Sequence, residues 1–556
     1  MMVVRSRMAG FIALLMYAME SPFAIGVSGQ TKPEPPVPVF RSKSHMVMVP
    51  VIVRDRQGNH LSGLKASDFM VKENARPRNL AVCEEVASAG EITVPHRSIR
   101  DLAVVNNLEE PEKPERIVLL VIDTVNTPLS LQADARKQLL RNFADAFDGR
   151  TLVSLLLIER GGIKVVHDFT MNPAVLAASL RRFRGLTLEP GVSDQVDASD
   201  ESQVENEIDE LNSFADTGSS NAVAEQKRIA ILTTIDAFEQ IAQRVEGIPG
   251  RKSLIWVTAG FPFSISESDA AAGGRLSSGA GFDDIQPEYE HMWSLLNSAN
   301  IAVYPLDIRG LENPMNLDAT TGQRPNPENV LRRSVRHQDS LDTFRSFAEM
   351  TGGKAFFNTN DIGRSFREAA QDSSSYYMLG YYLAGDERPG WHSLRVTLRG
   401  HRGSVRARNG FFVGKDKSAS RDQELTQALK SPLDFTGIPI VLRWHARIRQ
   451  SNHGKTTLTF DVECPGTAFA IDSADRNHMS IDVLSVAKLP NGNVEDSRAR
   501  KVDAHFSAEN AEKIRHHGMQ YAESLQLDSG NYTIRVVVRD NLTGTIGSVS
   551  APVEIE

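Results

Sequence analysis

The chain of 556 residues has little cysteine: only Cys83 and Cys464, far apart in the sequence. That excludes a disulfide framework and a thiolate metal cluster, so folding has to rest on packed cores. Runs of Lys and Arg are missing too. With a formal net charge of −8 and a pI near 6.0, the basic footprint of a nucleic-acid binder is absent, and nucleic acid is not expected as a partner. Beyond the N-terminus no apolar run approaches the ~20 residues of a membrane-spanning helix. There is no Gly-x-Ser-x-Gly elbow, His-Glu-x-x-His pair or phosphate-cradling glycine loop, so the motifs point away from an enzyme. What is present is 41% hydrophobic and 24% charged sequence, enough for roughly three or four cores at about 150 residues each.

The first residues read as an address. Arg5 and Arg7 precede an apolar run from Ala9 to Met19, and Gly26, Val27, Ser28 and Gly29 precede Gln30 like a cleavage site, so 1–29 reads as a signal peptide and the mature chain as secreted or periplasmic. Glu20 stops the run well short of a spanning length. No cysteine is available there for a lipid anchor, and no transmembrane segment is expected after signal removal.

Residues 30–44 contain KPEPPVPVF and read as a Pro-rich linker. From 45 to 90 the pattern is β: Val47, Val49, Val51 and Val53 alternate with other residues, Asp55 to Asn59 offers a turn, and DFMVKEN follows as a short strand. Residues 91–115 read as a linker. From Arg116 the grammar changes. RIVLLVID and LVSLLLIE are near-continuous apolar runs, as parallel strands covered on both faces require. Between them Leu131, Ala135, Leu139, Phe143 and Phe147 recur at i+4, which predicts an amphipathic helix. KVVHDF reads as a third strand, and helices are predicted over about 173–184 and 222–245. SLIWVTAG and NIAVYPLDI are further strands, and Leu341, Phe344 and Phe347 mark a helix ending at Gly352. Such alternation predicts a doubly wound, Rossmann-like α/β domain over 116–372, with an exposed acidic insertion at 190–222. YYMLGYYLA, HSLRVTLRG and VRARNGFFV over 373–414 read as a β extension of that domain, 415–433 as a linker, and 434–556 as a β-sandwich-like module.

Taken in order, RIVLLVIDTVNTP, GIPGRKSLIWVTAGFP, NIAVYPLDIRG, MTGGKAFF and SSSYYMLGYYLA resemble the bacterial von Willebrand factor A (VWFA)-related domain proteins. The resemblance covers about 45–414, including the preceding β segment VPVIVRDRQGNHLSGLKASDFMVKEN. It implies a von Willebrand factor A-like domain flanked by β modules, export, and binding as the mode of action.

Cation-binding A domains use an Asp-x-Ser-x-Ser loop, a Thr on a second loop and an Asp on a third, so that oxygens surround a hard cation and leave one position for a partner's carboxylate. Here Asp123 and Thr127 match the first loop, but Val125 replaces its middle hydroxyl and Ala259-Gly260 stands where Asp-Gly is expected. Thr187 sits where the second-loop hydroxyl belongs. The resemblance therefore implies metal-site residues Asp123, Asn126 and Thr127 in a degenerate site. The competing reading is that Asp123 and Asn126 cap the loop. No cofactor is required, and Mg²⁺ or another divalent cation would be held weakly. The acidic run with Asp194, Asp197, Asp200, Glu201 and Glu205 reads as solvated loop, and His516 and His517 as an exposed pair. The cluster of Tyr376, Tyr377, Tyr381, Tyr382 and Trp391 is either a platform for carbohydrate or peptide, or half core by strand alternation.

The functional expectation is an exported adhesion-type binding protein recognising a protein or surface polymer at the strand carboxyl ends near Asp123. The alternatives are a structural or assembly module of the envelope with an inert metal loop and, more remotely, a hydrolase whose site would declare itself as a pocket with a shifted carboxylate or histidine.

Overall fold

RIVLLVID carries no polar residue between Arg116 and Asp123, and every residue from Ile117 to Asp123 is buried. Alternate residues of that strand face two different cores: Ile117, Leu119 and Val121 join one, Val118, Leu120 and Ile122 the other. The strand pairs in parallel with Thr151–Glu159 and Lys252–Thr258, and the latter with Ile301–Asp307. Gly162–Thr170 closes one edge by turning back antiparallel. The sheet order is 301–307, 252–258, 116–123, 151–159, 162–170.

Helices cover both faces of this sheet, as parallel crossovers require. On one face lie Ser220–Val245, through Ile231, Ile235, Phe238 and Ile241, then Gln286–Ser298 and the helical residues 340–351. On the other lie Leu129–Ala146, Pro173–Arg182 and Ile362–Gln371, through Leu139, Leu180 and Phe366. This is a computed structural model, and it describes residues 46–86, 99–100, 103–106, 116–146, 150–182, 220–261, 285–310, 340–359, 361–383, 388–413, 421–445, 448–449, 455–475 and 477–555. The signal-peptide and Pro-rich readings, the acidic run at 194–205 and Thr187 all lie outside them.

The two β segments around the α/β domain build one module, which corrects the division into a separate 45–90 module and a 373–414 extension. Met46–Arg54 pairs antiparallel with Tyr376–Tyr382 and with Ser404–Arg406. Phe69–Glu73 pairs with Gly390–Leu398. The alternating valines Val47, Val49, Val51 and Val53 meet Tyr377, Leu379, Tyr381, Leu394 and Phe411 in a single core. An alternating strand has one apolar face to bury, and here the other half of that core comes from beyond the α/β domain.

One buried carboxylate ties this module to the α/β domain. Asp372, fully buried, accepts from Arg54 at 2.6 Å, from Arg406, and from the Tyr304 hydroxyl at 2.8 Å.

Two sheets make the C-terminal module. One holds Thr456–Cys464 between Val441–Trp444 and Met519–Leu527, and the other runs 494–505, 478–488, 530–540, 546–555. Leu458, Phe460 and Val462 from the first meet Ile481, Val483, Ile534 and Val536 from the second, a sandwich core. Parts of two of the assigned linkers, 91–115 and 415–433, belong to the folded structure. Ala103–Val105 adds a strand to Val441–Trp444. Arg421–Lys430 is a helix that buries Leu425 and Ala428 against the α/β core. Where the modules meet, Gly247 N–H donates to Thr436 Oγ1 at 3.1 Å, and that hydroxyl donates to Arg244 O at 2.6 Å.

Candidate functional site

Asp123 ends its strand at the carboxyl edge of the sheet, where open α/β folds bind ligands. Its carboxylate is fully buried. Oδ1 accepts the backbone N–H groups of Val125 at 3.0 Å and Asn126 at 2.9 Å. Oδ2 accepts Asn126 Nδ2 at 2.7 Å and the Trp256 indole N–H at 3.0 Å. Burial pushes the carboxyl above its ordinary range, and these donors pull it back only in part.

Asn126 Nδ2 also donates to Thr234 Oγ1 at 2.9 Å. Thr127 Oγ1 accepts the Ala259 N–H at 3.2 Å, so at the position of the missing third-loop Asp there is an amide donor. Val125 packs against the core. A hard cation needs oxygen lone pairs turned towards it. Those of Asp123 and Thr127 receive N–H groups of the protein itself, an arrangement that fits loop capping and does not fit Mg²⁺. The loop brings Asp123 and Asn126 into contact and ties Thr127 to the neighbouring strand's loop.

A separate cleft of about 890 Å³ opens among the helices on one face of the sheet. Gly161 and Gly162, in the hairpin at the carboxyl end of Thr151–Glu159, form part of its rim. Helix Ser220–Val245 supplies Asp236 and Glu239, helix Gln286–Ser298 supplies Glu288 and His291, and helix Arg421–Lys430 supplies Asp422, Gln427 and Lys430. Among the described lining residues, four carboxylates stand against one lysine.

Crowding changes their protonation. Burial, then repulsion from Asp236, raises the Glu239 carboxyl to about 8 against the pull of Gln427, so Glu239 holds a proton at neutral pH. Burial also raises Asp236, whose two oxygens accept Gln427 Nε2 at 2.6 Å and Gln240 Nε2 at 2.7 Å. Burial lowers His291 despite the nearby Glu424 and Glu288, which favours neutral imidazole.

The other candidates separate clearly. Tyr376, Tyr377 and Tyr381 are buried, Tyr382 is 54% exposed, and Trp391 packs on Phe412, so the aromatic cluster is mostly core. His516 is exposed and bonded to Glu512, on a helix that continues into His517. Sequence reading missed the cleft residues because Asp236, Glu239 and Glu288 look like ordinary polar positions on amphipathic helices, and the assigned linker gave no sign that its helix closes the third wall.

No family model matches the chain, and no curated protein matches it. Similar solved structures include the SpRpn10 VWA domain, at 8% identity over 46% of this chain and 95% of that one with a TM-score of 0.17. The TFIIH p34 N-terminal domain shares 11% identity over 46% of this chain and 97% of that one, with a TM-score of 0.21. Three N-terminal domains of the type V pili tip protein Mfa5 from Porphyromonas gingivalis match at 9% identity over 87% of this chain and 96% of that one, TM-score 0.23. A Bacteroides uniformis β-glucuronidase matches at a TM-score of 0.14, and the match spans 12% of that enzyme's length. Its own sheets and helices make the chain a mixed α/β protein; its structural neighbours include a von Willebrand factor A domain, at a similarity too low to bear on function. Among the described residues no helix is long and apolar enough to cross a membrane.

Proposed function

We propose that this chain is an exported, non-enzymatic binding protein of adhesion type, which recognises a positively charged segment of a protein or surface polymer in the acidic cleft and needs no bridging cation. The carrying observation is the cleft itself: Asp236, Glu239, Glu288 and Asp422 converge on it from three helices. A partner's lysine or arginine placed there would relieve carboxylate repulsion and return Glu239 to its charged form. The saturated Asp123 loop supports the same reading, since its oxygens are spent on holding the fold. The N-terminal pattern around Arg5, Arg7 and Ala9 to Met19 supports export.

A hydrolytic reading draws on the proton that Glu239 holds at neutral pH, as a general acid does. Asp236, the neighbouring carboxylate, accepts a glutamine amide at each oxygen, which lowers its basicity and fixes its direction. Binding is the reading these contacts favour.

The test is selection of displayed random peptides on the mature protein and on a Glu239→Lys/Glu288→Lys variant. Lys/Arg-rich sequences should be enriched on the wild-type chain alone. Equal enrichment on both, or none on either, contradicts the proposal, and the second result favours a purely structural module.

A further inference from the structure

We propose that Asp475, His478 and His505, in the C-terminal module, bind one divalent transition-metal ion, Zn²⁺ foremost. The fold assembles the three from two segments, Asp475 and His478 from one and His505 from the other. His478 and His505 are direct cross-strand partners in the pairing of His478–Lys488 with Val494–His505. Their rings stack with centroids 4.7 Å apart at 20°. Asp475 ends the 3₁₀ turn Ser473–Asp475, and its segment is clamped by the paired backbone bonds between Asp472 and His478 at 2.9 and 3.1 Å. One potential ligand atom from each residue lies within 4.8 Å of the other two.

The spacing suits a shared ion better than hydrogen bonds. Asp475 Oδ1 is 3.4 Å from His505 Nε2, and Oδ2 is 3.8 Å from His478 Nδ1, both longer than the usual 2.7–3.2 Å of an N–H···O bond. Tetrahedral Zn²⁺, with bonds of about 2.0–2.2 Å, places its ligand atoms roughly 3.3–3.5 Å apart. The two Asp475 separations are within about half an ångström of that, and the ligand atoms of all three residues lie within 4.8 Å of one another.

The next shell orients the donor. His478 Nε2 lies 2.7 Å from Asp503 Oδ1, and the other oxygen of Asp503 pairs with Lys501 at 2.7 Å. A carboxylate only accepts, so Nε2 carries a proton, and in the neutral imidazole Nδ1 is the lone-pair nitrogen on the Asp475 side. Carboxylate–histidine–metal is the recurring arrangement at zinc sites. Two imidazoles and one carboxylate select a first-row transition ion over Mg²⁺ or Ca²⁺ and leave a fourth position for water or a partner's side chain. Bound there, the ion would staple the 472–478 segment to the end of Val494–His505.

The test is calorimetric titration of the mature chain with Zn²⁺, with Co²⁺ absorption as the reporter of tetrahedral coordination. One equivalent should bind. His478→Ala and His505→Ala should abolish that binding, and Asp503→Asn should weaken it about 10- to 100-fold through the outer shell. His516→Ala/His517→Ala, which removes the exposed pair, should leave it intact. Absence of stoichiometric binding, or binding that survives His478→Ala and falls in the His516/His517 variant, overturns the assignment. The residues at stake are largely at the surface, and circular dichroism checks that each variant folds.

Discussion

The Trp256 indole N–H donates to Asp123 Oδ2 across 3.0 Å, joining neighbouring parallel strands at the carboxyl edge of the central sheet. Phe238, Phe261, Phe344 and Phe347 surround the indole and fix where its N–H points. Trp256→Phe keeps most of the packing but strips one donor from a buried carboxylate. Urea unfolding should show a loss of about 1–3 kcal/mol. A variant as stable as the parent would mean that Asp123 does not depend on this bond.

Glu239 gives stability a pH signature. Its folded carboxyl titrates near 8 against about 4.3 when unfolded, so between those values the folded chain holds a proton that the unfolded chain has released. The resulting stability is fully present below about pH 4.3 and is lost as pH rises through 8. Glu239→Gln cannot titrate. Denaturant unfolding should therefore show the variant gaining on the wild type between pH 5 and pH 8.5, by up to about 4 kcal/mol and less where solvent screens the partly exposed carboxyl. Parallel stability curves would show that the proton is not held.

Gly247 marks the seam between the α/β domain and the C-terminal module. A Cβ there would lie 2.0 Å from the Thr436 carbonyl oxygen, and backbone yields to such a clash less readily than the end of a flexible side chain. Gly247→Ala should cost about 1–3 kcal/mol or more, measured as a lowered urea midpoint. An unchanged midpoint would mean that the seam is loose.

Asp372 is the corresponding anchor for the β module. Removing its carboxylate leaves Arg54, Arg406 and the Tyr304 hydroxyl without their shared acceptor. The arginines are partly exposed, so the cost of Asp372→Ala should fall at about 2–4 kcal/mol, near the lower end for a broken buried pair. Limited proteolysis should then cut first around the β module, and an unchanged digestion pattern would contradict this.

The central sheet could be read from RIVLLVID and LVSLLLIE because burial on both faces leaves an unbroken apolar run. The covering helices could be read from i+4 stripes such as Ile231, Ile235 and Phe238. The departures at Val125 and Ala259 were equally plain. Strand partnership was not: a period of two says which face of Met46–Arg54 is apolar, but not that Tyr376–Tyr382 covers it from more than 300 residues away. Helix Arg421–Lys430 passed for a linker because Leu425 and Ala428 supply most of its buried surface. His478 and His505 meet only through the register of two strands, which spacing cannot supply.

Where recognition happens is tested most directly by one titration: fluorescence anisotropy of a selected basic peptide against the wild-type chain and the Glu239→Lys/Glu288→Lys variant, each in EDTA and in Mg²⁺ at equal ionic strength. The expected result is binding to the wild type that is the same in both buffers and lost in the variant. Binding that requires Mg²⁺, or that survives charge reversal in the cleft, would contradict it and return recognition to the Asp123 loop.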